Sequence, residues 1–182
     1  MEELVLPRFL DVEASSLSAK SYPIEVAWSD REGDITSYLI NPYLVDGWID
    51  WSLESQKIHG ITREQCKDQG VEPRWLCKCM SNSIDLKENI YADGGEFDEF
   101  WIDTLYGAGS DLGFAQFKVM HSDRIMLALL SKSETNVNRR FDLFKELKEE
   151  ARQVVDGRHR ATVDVQYLIE LYKLCHSFSM TI

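Results

Sequence analysis

The 182-residue sequence predicts an α/β fold, a mixed β-sheet with helices packed against it. Three observations point there. Three extended segments come first, joined by turns. Two further short strands then alternate with helical stretches. Long helices with apolar faces close the chain.

Residues 7–14 (PRFLDVEA), 22–30 (YPIEVAWSD) and 35–41 (ITSYLIN) read as strands, the last two joined by the turn-like DREGD. Residues 51–56 suit a short helical turn, and Thr62 opens TREQ, a capping-box pattern at a helix start. Pro73 sits in the first turn of the next helix, PRWLCKCMSNSI. Residues 88–92 (ENIYA) form a fourth strand, ended by Asp93-Gly94-Gly95, and a helix runs from about Glu96 to Tyr106. FAQFKVM at 114–120 is the fifth strand, and Arg124–Leu130 a short helix. Residues 137–155 are strongly amphipathic, with Phe141, Phe144, Leu147, Ala151 and Val154/Val155 on one side. Gly157 ends that helix, and residues 160–175 make the last, with Val163, Tyr167, Leu168, Leu171 and Leu174 apolar.

Composition narrows the function classes. Hydrophobic residues at 44% and aromatics at 11% suit one packed core over residues 1–182, read as a single domain. No apolar run approaches the ~20 residues of a membrane span, and the start lacks a signal-peptide pattern, so a cytoplasmic protein is expected. Cys66, Cys77, Cys79 and Cys175 fit neither a disulfide framework nor a paired CxxC zinc site. They read as reduced structural thiols. A net charge of −11 argues against a broad grip on duplex phosphates, though not against an enzyme holding one strand end at a metal site.

Three segments carry candidate chemistry. Asp11 and Glu13 in RFLDVEA lie two apart on a strand and share a face. Side by side they repel unless a cation joins them, and hard oxygen ligands suit Mg2+ or Mn2+. Taken alone, the pair is better read as the solvated acidic face of an edge strand. Asp98 in GGEFDEFWID opens a helix, where the dipole favours a carboxylate. Acidic residues there commonly only cap, and Phe97, Phe100 and Trp101 read as core. In GRHRATVD, His159 ends a loop and Asp164 lies on the following helix. A loop histidine titrating near neutrality can serve as a base, or can be a surface residue beside Arg158 and Arg160.

Together these segments resemble the three motifs of the DEDDh exonucleases, the DnaQ-like branch of the ribonuclease H-like fold. LDVEASSL resembles the first motif, hydrophobic-D-x-E-x-T-G-L. FDEFW after its strand and turn resembles the second. HRATVD matches H-x-A-x-x-D at every named position, and IHGIT at 58–62 resembles the Ile-His-Gly-Ile segment between the first two. Two departures stand out. Gly94 replaces the usual Asn of H-N-A-x-F-D, and Ser15 and Ser16 replace Thr and Gly of T-G-L.

The resemblance implies a five-stranded sheet in the order 3-2-1-4-5 with strand 2 antiparallel. It implies a 3′–5′ exonuclease releasing nucleoside 5′-monophosphates from single-stranded DNA or short RNA. Asp11, Glu13, Asp98 and Asp164 would hold two divalent metal ions, Mg2+ or Mn2+, with His159 as the base. Ala14, Ser15 and Leu17 would meet the terminal nucleotide, with His59 and Arg158 as further substrate contacts. The partners implied are 3′ ends of single strands, with a homodimer an open possibility. Trp48 and Trp51 are candidates for base stacking, whereas Trp75 and Trp101 read as core. The competing reading is a catalytically weak binding module for strand ends or a protein partner, motivated by the altered second motif and the acidic surface. An endonuclease on the same fold is disfavoured by the HxAxxD motif.

Overall fold

Alternation writes the first strand. In β1 (Leu10–Ala14) Leu10, Val12 and Ala14 are buried, while Asp11 and Glu13 face the other way and are part-exposed. The computed structural model describes residues 4–157 and 159–180. β2 (Pro23–Ser29) is buried along its whole length, because it lies between β1 and β3 (Ile35–Leu39) and is covered on both faces. Both pairings of β2 are antiparallel, as expected, and Glu13 stands opposite Glu25. The β2–β3 turn is held by the Asp30 carboxylate, which accepts the amide N–H groups of Glu32, Gly33 and Asp34.

The helices begin and end where local chemistry dictates. After a 3-10 turn at Pro42–Leu44, α1 (Leu53–His59) is capped by the Ser52 hydroxyl and ends at Gly60, whose φ of 72° suits a residue without Cβ. α2 (Arg63–Gln69) carries the complete capping box of Thr62 and Gln65. α3 (Pro73–Ser83) starts on its proline. β4 (Asn89–Ala92) leads into α4 (Glu96–Gly109), and β5 (Lys118–His121) is followed by α5 (Asp123–Leu130), α6 (Val137–Val154) and α7 (Ala161–Ser179).

The hydrogen-bonded strands form two sheets where the sequence leads one to expect a single sheet in the order 3-2-1-4-5. β1, β2 and β3 make an antiparallel sheet, and β4 and β5 a parallel pair. One parallel bridge, Phe9 to Tyr91, joins them just ahead of β1, with the Tyr91 N–H donating to the Arg8 carbonyl at 2.9 Å. Beyond Ala92 the chain turns away into α4. The fifth strand is also shorter than expected, starting at Lys118, and Phe114 is exposed.

Two apolar clusters sandwich the first sheet. Leu10, Val12, Ile24, Val26 and Trp28 pack with Leu76 and Met80 of α3 and Ile102, Leu105 and Tyr106 of α4. Phe9 and Ala27 pack on the other side with Met126 of α5, Phe144 and Leu147 of α6 and Val165 and Leu168 of α7. Five expected core residues lie outside these clusters: Trp75, Phe97, Phe100, Phe141 and Val154 are exposed. Trp75 meets Tyr38 edge-on, at 5.0 Å between ring centres. Cys66, Cys77 and Cys175 are buried free thiols, and Cys79 is part-buried. Among the described residues, no helix is long and apolar enough to cross a membrane.

Candidate active site

The strand places Asp11 and Glu13 on the face of the sheet that looks toward the start of α7. Asp164, in the first turn of α7, meets them there: one carboxylate oxygen from each of the three lies within 4.8 Å of the others. Asp98 comes from the first turn of α4, is 2% exposed, and keeps its Oδ2 buried with no hydrogen-bond partner. Asp11, Glu13, Asp164 and His159 line one cleft of about 270 Å3, together with Val12, Asp93, Gly94 and Arg152. Glu13 and His159 also border a second cavity of about 280 Å3, lined by Ala14, Leu17, Ile58, His59 and Trp101 among others.

Crowded carboxylates with too few cations hold their protons. Burial pushes Asp11 well above the usual carboxylate range, reinforced by the charges of Asp98, Glu13, Asp164 and Asp93. Burial raises Glu13 to about 8, helped by Asp164 and Glu25 and opposed by Arg160. Burial raises Asp98 to about 7 against the amides of Gly94 and Val12, which favour its charged form. A buried acceptor without a donor and a knot of oxygens sharing one space fit a hard divalent cation, which would take up both the charge and the lone pairs. Asp11, Glu13 and Asp164 are the residues that would hold it, and the structure leaves Asp98 outside both this group of converging oxygens and the lining of the cleft.

His159 hangs from the bend before α7, as expected for a residue five positions from Asp164 that must face the same cleft. Its φ of 57° is left-handed, and its N–H donates to Asp164 Oδ2 at 2.9 Å. The loop is tied down by Arg160. Its Nη2 and Nε donate to the two oxygens of Glu25 at 2.7 and 3.0 Å, and the Ala161 N–H adds a third bond at 3.1 Å. Arg160 is therefore committed to a buried carboxylate and is not a free phosphate ligand.

The expected nucleotide contacts divide. Leu17 is 76% exposed between two cavities, and Ala14 lines one of them. His59 is buried beside Glu13 and His159. Its Nδ1 accepts the Ile61 N–H at 3.0 Å, which puts the proton on Nε2, and that nitrogen has no partner. Burial lowers its pKa. Ser15 is fully buried and its hydroxyl accepts the Tyr22 N–H, so its side chain faces the interior and not the cavities. Arg158 lies outside the described residues. Trp48 is buried in a stack on Tyr22 at 5.0 Å, and Trp51 donates its Nε1–H to Gln56. Neither ring lines the cleft or the cavities beside it.

Phe97 and Phe100 correct the sequence reading. Both are exposed and, with Leu17, Ala19 and Ser21, line a cavity of about 400 Å3 beside the site, whereas Trp101 is buried with its Nε1–H on Ser21 Oγ. Asp93, Glu25 and Arg152 were missed. Asp93 lies in the Asp-Gly-Gly-Glu-Phe-Asp run and could have been suspected from it. Glu25 needed the β1–β2 register, and Arg152 had no local signal. Ser16, standing where the resemblance expects glycine, donates to Asp50, which also accepts from Ser18 Oγ at 3.0 Å. Asp50 thus holds the loop from which Leu17 projects.

No protein-family model matches the sequence, and no curated protein matches it. Solved structures do. Zinc-bound exonuclease I of E. coli in complex with single-stranded DNA superposes with a TM-score of 0.67 at 18% identity, over 93% of this chain and 40% of that one. The Mg2+- and Mn2+-bound form of S. pombe Pop2p gives 0.63 at 12% identity, over 98% of this chain and 86% of that one. The chain shares the fold of these two proteins. A moderately thermophilic exonuclease I from Methylocaldum szegediense shares that fold, with a TM-score of 0.58 at 13% identity over 92% of this chain and 40% of that one. The chain spans about 40% of the length of these exonuclease I chains.

Proposed function

We propose that this protein is a divalent-metal-dependent 3′–5′ exonuclease acting on single-stranded DNA or short RNA, with nucleoside 5′-monophosphates as products. The observation that carries the reading is the meeting of Asp11, Glu13 and Asp164 within 4.8 Å, on a fold shared with exonucleases. Asp98 and His159 complete the set. Pop2p binds Mg2+ and Mn2+, and E. coli exonuclease I has been seen with single-stranded DNA, both in keeping with this assignment.

The four carboxylates would hold two ions, Mg2+ or Mn2+. When bound, these supply positive charge for an attacking water and for the departing 3′ oxygen. The chain's own residues do the rest. His159, exposed at the cleft, takes the proton of the attacking water. Arg160 and Glu25 keep its loop in place. Leu17, Phe97 and Phe100 offer apolar surface to the terminal bases, and the buried Nε2–H of His59 offers a donor beside them. Bound cations would give the phosphates of a DNA or RNA strand a partner that the carboxylates themselves do not offer.

A binding module without cleavage is the second reading. Its support is that both oxygens of Asp164 are already engaged, by Arg152 and by the His159 N–H. A gel time course decides between them. The substrates are 5′-labelled single-stranded DNA and RNA of one sequence, with Mn2+ or Mg2+, for the wild type and Asp11→Ala. A ladder shortening one nucleotide at a time and absent in the variant is expected. Intact substrate in every lane with folded protein overturns the exonuclease.

A further inference from the structure

Arg152 lies on α6, near its end, and reaches across to α7, where its Nη1 donates to Asp164 Oδ1 at 2.9 Å. Its guanidinium carbon sits 3.5 Å from the centre of the Tyr167 ring. Tyr167 follows Asp164 by three residues, so ring and carboxylate lie on one face of the helix. The pair is shielded, with side-chain exposures of 23% for Arg152 and 16% for Asp164. Arg152 also lines the cleft that holds Asp11, Glu13 and Asp93. The other oxygen of Asp164 takes the His159 N–H. A planar cation, fixed by an aromatic ring, thus occupies an oxygen that a metal would need.

On the reading of this cluster as a divalent-metal site, we propose that Arg152 is a positioning residue that holds Asp164 in the metal-free protein and is displaced from it when a divalent cation binds. A guanidinium carries one delocalised charge. A divalent ion carries two in a smaller volume and gains three further carboxylates, so it wins the exchange. Arg152 does not have to leave the cleft when displaced, because its contact with Tyr167 is independent of Asp164. Until then it offsets part of the carboxylate repulsion and keeps Asp164 turned inward. Metal affinity is thereby set lower than the four carboxylates alone would give.

The test is calorimetric titration of the full chain with MnCl2 in the absence of nucleic acid, alongside melting curves of the metal-free protein. The variants are Arg152→Gln and Arg152→Lys. In Arg152→Gln the dissociation constant for Mn2+ is expected to fall about three- to tenfold, while the metal-free protein melts at a lower temperature. A purely structural arginine would lower melting temperature and metal affinity together, so the opposite signs are diagnostic. Arg152→Lys keeps the charge but not the fork or the ring contact and should fall between, and it carries the comparison if Arg152→Gln does not fold. Unchanged or weaker Mn2+ binding in a folded variant overturns the role of Arg152 and leaves the metal site standing. A wild type that takes up no Mn2+ overturns the metal site itself, and this proposal with it.

Discussion

Glu13 and Glu25 stand directly opposite each other in the β1–β2 ladder, yet only Glu25 has a cation of its own. Glu25 accepts three hydrogen bonds from Arg160 and Ala161, whereas Glu13 is left facing Asp11 and Asp164 with its pKa raised to about 8. Like charges across a ladder are destabilising unless something else pairs with them. Arg160 neutralises one, and the cleft is arranged for a second cation to neutralise the other.

The Glu25–Arg160 pair should therefore support stability and catalysis together. Arg160→Ala strands a buried carboxylate and should cost about 1–3 kcal/mol, less than a fully buried pair because the arginine is half-exposed. Urea denaturation checks the stability. Because the pair anchors the His159 loop, kcat should fall more than KM rises. Wild-type kcat in a destabilised variant would show that the loop is held without it.

Metal-free stability should fall as pH rises. Glu13 and Asp98 titrate at about 8 and about 7 in the folded protein, while unfolded carboxyls titrate near 4. The folded state thus keeps protons that the unfolded state releases. Its stability from these groups is full below about pH 4 and is lost as pH rises through 7 to 8. A fall in Tm on the order of 5 °C is expected between about pH 5.5 and about pH 8.5. Mn2+ should raise Tm more at the higher pH. A flat metal-free profile would contradict the crowding of these carboxyls.

Gly94 is where a side chain would disturb the site most directly. A Cβ there would stand 2.7 Å from Asp98 Oδ2. Gly94→Ala must push the Asp98 carboxyl aside, at a cost of about 1–3 kcal/mol in stability, and should weaken Mn2+ binding about tenfold. Calorimetry of the variant reads both. Wild-type metal affinity would show that Asp98 is not a ligand.

Leu17, Phe97 and Phe100 form an exposed apolar surface beside the site that packing does not require. Truncating Phe97 or Leu17 to Ala should leave Tm within about 1 °C. It should raise KM for single strands about tenfold, with kcat little changed, as expected where bases rest on the surface. Steady-state kinetics on a short oligonucleotide checks it. A large loss of Tm instead would return these residues to the core.

Much of the site was legible along the chain because its information is local. Two residues apart on a strand means one face, which put Asp11 and Glu13 together. A helix start attracts a carboxylate, which marked Asp98, and the HRATVD run marked Asp164. The five-residue step from His159 to Asp164 placed the histidine on a loop. The capping box at Thr62 formed as read. Periodicity, however, says which side chains share a face and not what covers that face. Phe97, Phe100, Phe141 and Trp75 therefore read as core and are exposed.

The pairing of Glu25 with Arg160, 135 residues away, and of Arg152 with Asp164 depended on strand register and on how α6 and α7 cross the sheet. So did the single Phe9–Tyr91 bridge in place of a continuous ladder. The sequence by itself determined which groups could do chemistry and which way they point on their own elements. Only the tertiary structure decided which cation answers which carboxylate, because a charge chooses its partner by distance through space, and that distance exists only once the elements have packed.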